Sequence, residues 1–378
     1  MKIVIPGGSG QVGQILARHF LARGDSVTVF SRHPRPAPWR VASWDGLTPG
    51  DWIADLEGSD VCINLTGRSV NCRYTAANRR SILESRIRST LLLNEVIASL
   101  NHAPRLWVNA STATIYWHAL DRAMDETDGE LGGNEPGAPD TWNFSIDVAK
   151  GWEEAFFSTP TPRTRKVAIR SAMTFSPDRG GVFDAFLGVV RHGLGGRQGR
   201  GTQFVSWIHE ADFCRAVDLL IACEKFDGVV NLASPSPLPN GELMRALRDA
   251  WGIRIGVPAL GWMTEIGTWL MRTESELVLK SRRVVPGRLL AAGFQFLFPD
   301  WPAAARDLVA RWRKGIGRSA MRLRRAARYH CHRSHHHESH YRDPGAARAR
   351  HELQGLASGS GLAHASQQPR SGGRREAR

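Results

Sequence analysis

Eight residues near the start, Pro6-Gly7-Gly8-Ser9-Gly10-Gln11-Val12-Gly13, narrow the folds open to this chain more than any other stretch. They follow the short apolar run Lys2-Ile3-Val4-Ile5. They precede a segment in which Val12, Ile15, Leu16, His19 and Phe20 fall on one face at helical spacing. Strand, glycine turn and amphipathic helix in that order open a parallel sheet whose strands are joined by crossover helices. The turn also has a chemical reading. One glycine permits the tight turn, one lets the backbone approach a pyrophosphate, and one lets the helix pack close to the strand. The free N–H groups of the helix N-terminus then face the phosphates. Gly7, Gly8, Ser9, Gly10, Gln11, Val12 and Gly13 form the candidate cradle.

A second strand, Ser26-Val27-Thr28-Val29-Phe30, follows after Gly24-Asp25 and ends at Ser31-Arg32. That is about 20 residues past the glycines, where an NAD-binding chain places an acid on the ribose 2′-OH. A guanidinium there binds a 2′-phosphate through forked, charge-assisted hydrogen bonds, which a carboxylate would repel. The expected cofactor is NADP(H), with NAD(H) as the alternative and Ser31 and Arg32 as contacts. The plainer reading leaves Arg32 as a solvated loop residue.

Further along, His33 to Trp39 is a proline-rich loop, Trp44-Asp45 ends a short strand, and Trp52 to Leu56 is a weak helix. Val61 to Leu65 reads as a buried strand closed by Thr66-Gly67. A nicotinamide nucleotide would lie against Leu65, Thr66 and Gly67 at the end of such a strand. In the long helix that follows, Ile82, Ile87, Leu91, Leu92, Val96 and Ile97 alternate with Arg79, Arg80, Arg86 and Arg88, which are expected to be solvated. Leu106 to Ala110 is a strand running into Ser111-Thr112-Ala113-Thr114-Ile115-Tyr116. Hydroxyls there both donate and accept, which suits a C=O that becomes C–OH.

The spacing of Gly7, Gly10 and Gly13 resembles that of the extended short-chain dehydrogenase/reductase superfamily. The Ser/Thr-rich strand end is similar to the place where that superfamily holds a substrate carbonyl or hydroxyl. The resemblance gives that role to Thr112, with Ser111 and Thr114 as neighbours. The superfamily then carries Tyr-x-x-x-Lys, a tyrosine acid/base with a lysine that lowers its pKa and binds the ribose. Here Lys150 is in place, but Ile146 stands four residues before it and cannot exchange a proton. A branch described as NAD-dependent epimerase-like or cell-division-inhibitor-like commonly lacks that tyrosine. This chain resembles it in Phe144…Trp152-Glu153, Ile169-Arg170, Phe175 to Gly181, Gly193 to Gly196, Ser206 to Asp212, Asn231 to Pro235, Ser281 to Pro286 and Leu289 to Phe294. The resemblance covers about residues 1 to 312. It implies a doubly wound parallel sheet, the Rossmann fold, over 1–230, and a smaller C-terminal substrate or lid region over 231–312 interleaved with 171–206.

From Arg313 onward the chain holds 15 Lys+Arg against 4 Asp+Glu, so most of the net charge of +14 sits in this segment. Its lack of apolar periodicity predicts a disordered basic tail over 313–378. Its histidines and Cys331 lack zinc spacing, so no metal site is expected. No charged leader precedes the first strand, and no apolar segment reaches the roughly 18 residues of a membrane helix. With no close cysteine pair, a cytoplasmic, reduced protein is expected. The expected partner is a small-molecule substrate, with a homodimer left open and neither nucleic acid nor membrane for the body. His209 faces substrate or serves structure; Glu210 and Asp212 suit a helix N-terminus. Gly-rich Val182 to Gly201 would form a mobile wall, and Trp251 to Met271 a small helical lid.

Two functions stay open. One is an NADP(H)-dependent oxidoreductase or epimerase in which Thr112 orients the substrate oxygen and Lys150 the ribose. Its proton would come from Tyr116, His118, Asp147 or water; Tyr116 is the best chemical match, at a position that usually packs behind the site. The other is a nucleotide-binding regulatory protein that has lost catalysis.

Overall fold

A computed structural model describes residues 1–258 and 279–315. Seven strands make the main sheet: β1 (Lys2–Pro6), β2 (Ser26–Ser31), β3 (Arg40–Ser43), β4 (Val61–Asn64), β5 (Leu106–Thr112), β6 (Arg165–Ser171) and β10 (Gly228–Leu232). Their order is β10-β6-β5-β4-β1-β2-β3, and every pairing is parallel. Apolar side chains alternate to both faces, as a sheet covered by helices on either side requires. Ile3 and Ile5 pack with Ile15, Leu16 and Phe20 of α1 (Gln11–Ala22) and with Phe213, Val217 and Leu220 of α6 (Glu210–Ala222). Val4 and Cys62 point the other way, toward Leu92, Leu93 and Val96 of α3 (Ala76–Ser99) and Phe156 of α4 (Asp140–Phe157).

The chain leaves β1 into α1 on one face and β4 into α3 on the other. The crevice between β1 and β4 is therefore the switch point at which doubly wound sheets bind ligands. The sheet's last strand ends at Leu232, two residues past the expected bound at 230, and a second core lies beside it. There Phe175, Phe183, Phe186, Trp207, Leu243, Trp301, Leu308 and Trp312 pack together. They come from β7 (Met173–Phe175), α5 (Val182–Arg191), β9 (Trp207–His209), α7 (Asn240–Trp251) and a helical run over 301–315. β7 pairs in parallel with β9, and β8 (Phe204–Val205) runs antiparallel to β11 (Leu238–Pro239).

The helical run continues three residues beyond the expected boundary at Trp312. Arg313 lies 4.2 Å over the Trp251 ring and donates to the Trp251 carbonyl at 2.8 Å, which extends the packed unit. Residues 316–378 of the expected tail, and the part of the expected lid over 259–271, lie outside the described residues. Among the described residues no helix is long and apolar enough to cross a membrane.

Candidate functional site

At the switch point Gly7 adopts φ +73°, and an added Cβ would stand 2.7 Å from the Thr66 backbone. Strand β4 thus reaches the turn only because residue 7 has no side chain. Gly13 is set by packing: a Cβ there would sit 2.3 Å from Gly8 Cα. Gly10 is the N-cap of α1 with no side chain bonded to the first-turn amides, and a Cβ there would make only an ordinary contact, 3.8 Å from the Gly7 carbonyl oxygen. That leaves the positive end of the helix free to face an anion.

A cleft of about 530 Å³ opens in front of this turn. Gly7, Ser9, Gly10, Ser31, Arg32, Leu65, Thr66 and Gly67 line it, together with Trp44, Asp45, Arg68, Arg80 and Arg88. The remaining cradle residues do other work. Gly8 and Gly13 meet each other, Val12 packs on the core, and the Gln11 amide abuts Gly181. Arg32 and Arg80 have no ion-pair partner among the described residues. The Thr66 hydroxyl and the Trp44 indole N–H are buried with no hydrogen-bond partner among the described residues. Orphaned donors beside a cationic cleft and an open helix N-terminus fit a phosphorylated dinucleotide.

A second pocket of about 290 Å³ lies at the C-terminal ends of β5 and β6. Ser111, Thr112, Thr114 and Ser171 line it from the sheet, Tyr74 and Arg86 from one side, and Arg282 from the other. Thr112 Oγ1 donates to Thr114 Oγ1 at 3.1 Å, and Arg282 Nε donates to the same Thr114 oxygen at 3.1 Å. On α4 the lining residues are Phe144, Ser145, Val148, Ala149 and Trp152, one helical stripe at i, i+3, i+4 and i+7.

That stripe corrects the expectation for Lys150. Ile146 and Lys150 share the neighbouring stripe, which turns to the loop at Gly132-Gly133. A Cβ on Gly132 would meet the Ile146 side chain at 2.7 Å, and one on Gly133 the Lys150 ammonium at 3.2 Å. Ile146 is fully buried, and Lys150 lines neither cavity. The pocket-facing pair one turn apart is Ser145 and Ala149.

Tyr116 is corrected too. It is 2 % exposed. Its hydroxyl donates to Asn231 Oδ1 at 3.0 Å and accepts from Arg170 Nη1 at 2.9 Å. Burial raises its pKa. It belongs to a network behind the pocket. Arg170 makes a forked pair with Glu153 (2.8 and 2.7 Å), and Ser111 donates its hydroxyl to Glu153 Oε1 at 2.5 Å. Ser111 therefore lines the pocket with its hydroxyl already committed.

Neither other proton donor weighed from sequence lines the pocket. Asp147 is exposed. His118 accepts from the Ser281 amide at Nδ1 (2.9 Å), and burial, then Lys280, lowers its pKa. His209 is structural: its Nδ1 accepts from the Ala211 amide at 3.1 Å and its Nε2 meets Asp307 at 3.1 Å. Asp212 accepts from the Leu297 and Phe298 amides, and Glu210 pairs with Arg311.

Sequence reasoning passed over Tyr74 and Arg86. Tyr74 is 9 % exposed, and its hydroxyl stands 3.3 Å from Ser145 Oγ. A count would have found it, because the chain has only four tyrosines and Tyr329 and Tyr341 lie in the basic segment. Arg86, expected on a solvated face, turns inward. Its Nη1 donates to the carbonyls of Arg68 (3.1 Å) and Ile82 (2.9 Å), and its guanidinium lies 5.0 Å over the Trp152 ring. Burial lowers its pKa to about 10. A Cβ on Gly67 would meet the Arg86 guanidinium carbon at 3.0 Å, so this residue stands between cleft and pocket.

A sequence model of the NAD dependent epimerase/dehydratase family matches residues 3–138, and one of a domain of unknown function, DUF1731, matches residues 261–308. The chain is 31 % identical over 314 residues to the epimerase family protein SDR39U1 of Bos taurus, covering 82 % of this chain and 100 % of that one. An epimerase family protein of Staphylococcus aureus is 29 % identical over 316 residues, covering 82 % and 99 %. The crystal structure of human epimerase family protein SDR39U1 (isoform 2) with NADPH superposes with a TM-score of 0.71 at 29 % identity, covering 82 % and 99 %. A nucleoside-diphosphate sugar epimerase from Corynebacterium glutamicum, at 23 % identity and a TM-score of 0.62 over 88 % of this chain and 67 % of that one, shares the fold. The cradle at the switch point, the hydroxyl-lined pocket beside it and these full-length relatives agree: the chain belongs to the NAD dependent epimerase/dehydratase family, with a DUF1731 segment at its C-terminal side.

Proposed function

We propose that this chain is an NADP(H)-dependent oxidoreductase or epimerase acting on a small hydroxyl or carbonyl substrate. One observation carries the reading: the cationic cleft at the switch point and the hydroxyl-lined pocket meet at Arg86. The turn at Gly7 to Gly10 and the α1 N-terminus would hold the pyrophosphate, and Arg32 with Arg80 the 2′-phosphate. Leu65, Thr66 and Gly67 would lie beside the ribose and nicotinamide. When bound, the cofactor would supply or accept a hydride. Human SDR39U1, solved with NADPH, supports this choice of cofactor.

The protein's own part is to bind and orient. The Thr112 hydroxyl, whose proton lies on Thr114 Oγ1 beside Arg282, would turn that proton toward a substrate oxygen on binding. Apolar Val148, Ala149 and Phe144 exclude water around it. Calorimetric titration tests the cofactor reading. NADPH should bind about tenfold to a hundredfold more tightly than NADH, and Arg32→Asp should reverse that order. Equal dissociation constants in the wild type would remove it.

A second reading, a nucleotide-binding regulatory protein, is favoured by Ser145 and Ala149 on the pocket face of α4. It predicts cofactor binding with no turnover of any carbonyl or alcohol, in the wild type and in Thr112→Val alike.

A further inference from the structure

We propose that Tyr74 is the catalytic acid/base of this pocket, with Ser145 relaying its proton and Arg86 holding its phenolate. The inference rests on the oxidoreductase reading above and names the group that moves the proton. An acid in this pocket must present an exchangeable proton to a substrate oxygen held near Thr112. Of the described side chains that line the pocket, the hydroxyls of Ser and Thr ionise too weakly, and guanidinium groups do not release a proton near neutrality. The phenol of Tyr74 remains.

Its surroundings suit the task. Tyr74 precedes α3 and packs edge-on against Phe144 of α4, ring centroids 5.0 Å apart. That contact brings its hydroxyl to Ser145, the pocket-facing position of α4. A phenol reaching in from the α3 side thus arrives at the helix that carries none of its own. Among the described residues, the charged groups that line the pocket with it are cationic. Arg86 lines the same pocket and interacts electrostatically with the Tyr74 oxygen. Arg79 donates to the Tyr74 carbonyl at 3.0 Å, and Arg282 closes the far wall. The carboxylates on the first half of α4 do not oppose them: Asp140 pairs with Arg79 at 2.5 Å, and Asp147 is exposed. A positive charge beside a phenol favours the phenolate, the service that a lysine performs in Tyr-x-x-x-Lys.

In the reducing direction a hydride adds to the substrate carbonyl carbon and the C=O electron pair moves to oxygen. The Tyr74 O–H bond breaks and its proton goes to that oxygen. NADPH is oxidised to NADP⁺, the carbonyl becomes an alcohol, and the phenolate takes a proton from water through Ser145. Oxidation runs the same steps in reverse.

The test is a pH titration of the full chain labelled with [13Cζ]tyrosine, followed by NMR with and without NADPH. The signal lost in Tyr74→Phe identifies the residue. Tyr74 should ionise at least one pH unit below the ~10 of a free phenol. Arg86→Met should move that ionisation up by a unit or more, and Arg86→Lys should restore it. Turnover of 4-nitrobenzaldehyde or 9,10-phenanthrenequinone with NADPH should fall about 10²-fold or more in Tyr74→Phe, with the NADPH dissociation constant unchanged. A Tyr74 signal that titrates at or above ~10 in the wild type overturns the proposal, whatever the Arg86 variants do. So does undiminished turnover in Tyr74→Phe. Where neither probe turns over, the titration decides alone. A chain that fails to bind NADPH refutes the cofactor reading instead, a result the labelled tyrosine reports separately.

Discussion

Replacing Glu153 by Gln should destabilise the fold severely, because it strands a charge. The carboxylate accepts both forks of Arg170, at 2.8 and 2.7 Å, and the Ser111 hydroxyl at 2.5 Å. The two side chains are only 8 % (Arg170) and 11 % (Glu153) exposed, so solvent screens the pair little. The amide keeps the shape and one acceptor but removes the negative charge, leaving the guanidinium uncompensated. Breaking one partner of a buried ion pair costs about 3–5 kcal/mol, against a total stability of roughly 5–15 kcal/mol for a typical domain. At about 2–4 °C per kcal/mol the melting temperature should fall on the order of 10 °C. In the wild type burial works against the charge on Arg170, but the Glu153 bonds outweigh it and raise the pKa. The variant loses that support, but a guanidinium does not give up its proton near neutrality, so the charge stays. The double variant Glu153→Leu with Arg170→Met should recover most of the loss, because apolar replacement of both partners is often neutral. Tyr116 would still donate to Asn231 in that variant. Urea unfolding of five proteins, the wild type, Glu153→Gln, Glu153→Leu, Arg170→Met and the double variant, is the assay. A loss below about 1 kcal/mol in Glu153→Gln, or a double variant no better than the worse single, would refute the argument.

Stability should also fall in mild acid. Burial lowers the pKa of His209 from 6.5, so above that pH neither folded nor unfolded chain binds the proton; below it the unfolded chain does so first, and stability declines toward the lower folded pKa. His209→Gln should flatten the urea midpoint between about pH 6.5 and 5, and an unchanged slope would assign the loss elsewhere. Thr112→Val should cut turnover while leaving NADPH affinity intact, read by initial rates and calorimetry. Ile146→Tyr should cost about 1–3 kcal/mol in urea unfolding, since the residue is fully buried against Gly132. It should bring no gain in rate, and a tenfold rise would show that the ring reaches the pocket.

The main sheet was legible because its strands carry two signals at once. Ile3, Val4 and Ile5 are apolar on successive residues, which only a strand buried on both faces tolerates, and Gly7 to Gly13 then fix the crossover. The cleft was legible for the same reason: backbone geometry at Gly7 and the helix end at Gly10 depend on local residues. The second core was harder to read. It joins β7, α5, α7 and the run over 301–315, and contacts such as Trp301 Nε1 to the Leu243 carbonyl link residues 58 apart, with no periodicity to announce them.

The α4 wall of the hydroxyl-lined pocket was misread through helical phase. A motif match fixes spacing along a helix, and Lys150 satisfied it, but a shift of one residue turns a side chain by about 100°. Here the stripe that meets the pocket runs through Ser145, Ala149 and Trp152, so Lys150 faces the Gly133 loop. The phase is set in the C-terminal half of α4, where Glu153 is held by Arg170 and Ser111, and Trp152 by a bond from its Nε1 to Thr90 Oγ1 at 3.0 Å. Those partners sit on β6, β5 and α3, distant in sequence. The helix is therefore clocked by its buried end, and the identity of the residues that face the pocket follows from that clamp. Loosening the clamp at Glu153 should thus disturb the pocket as well as the fold, because Ser111 and Ser145 are fixed by the same helix.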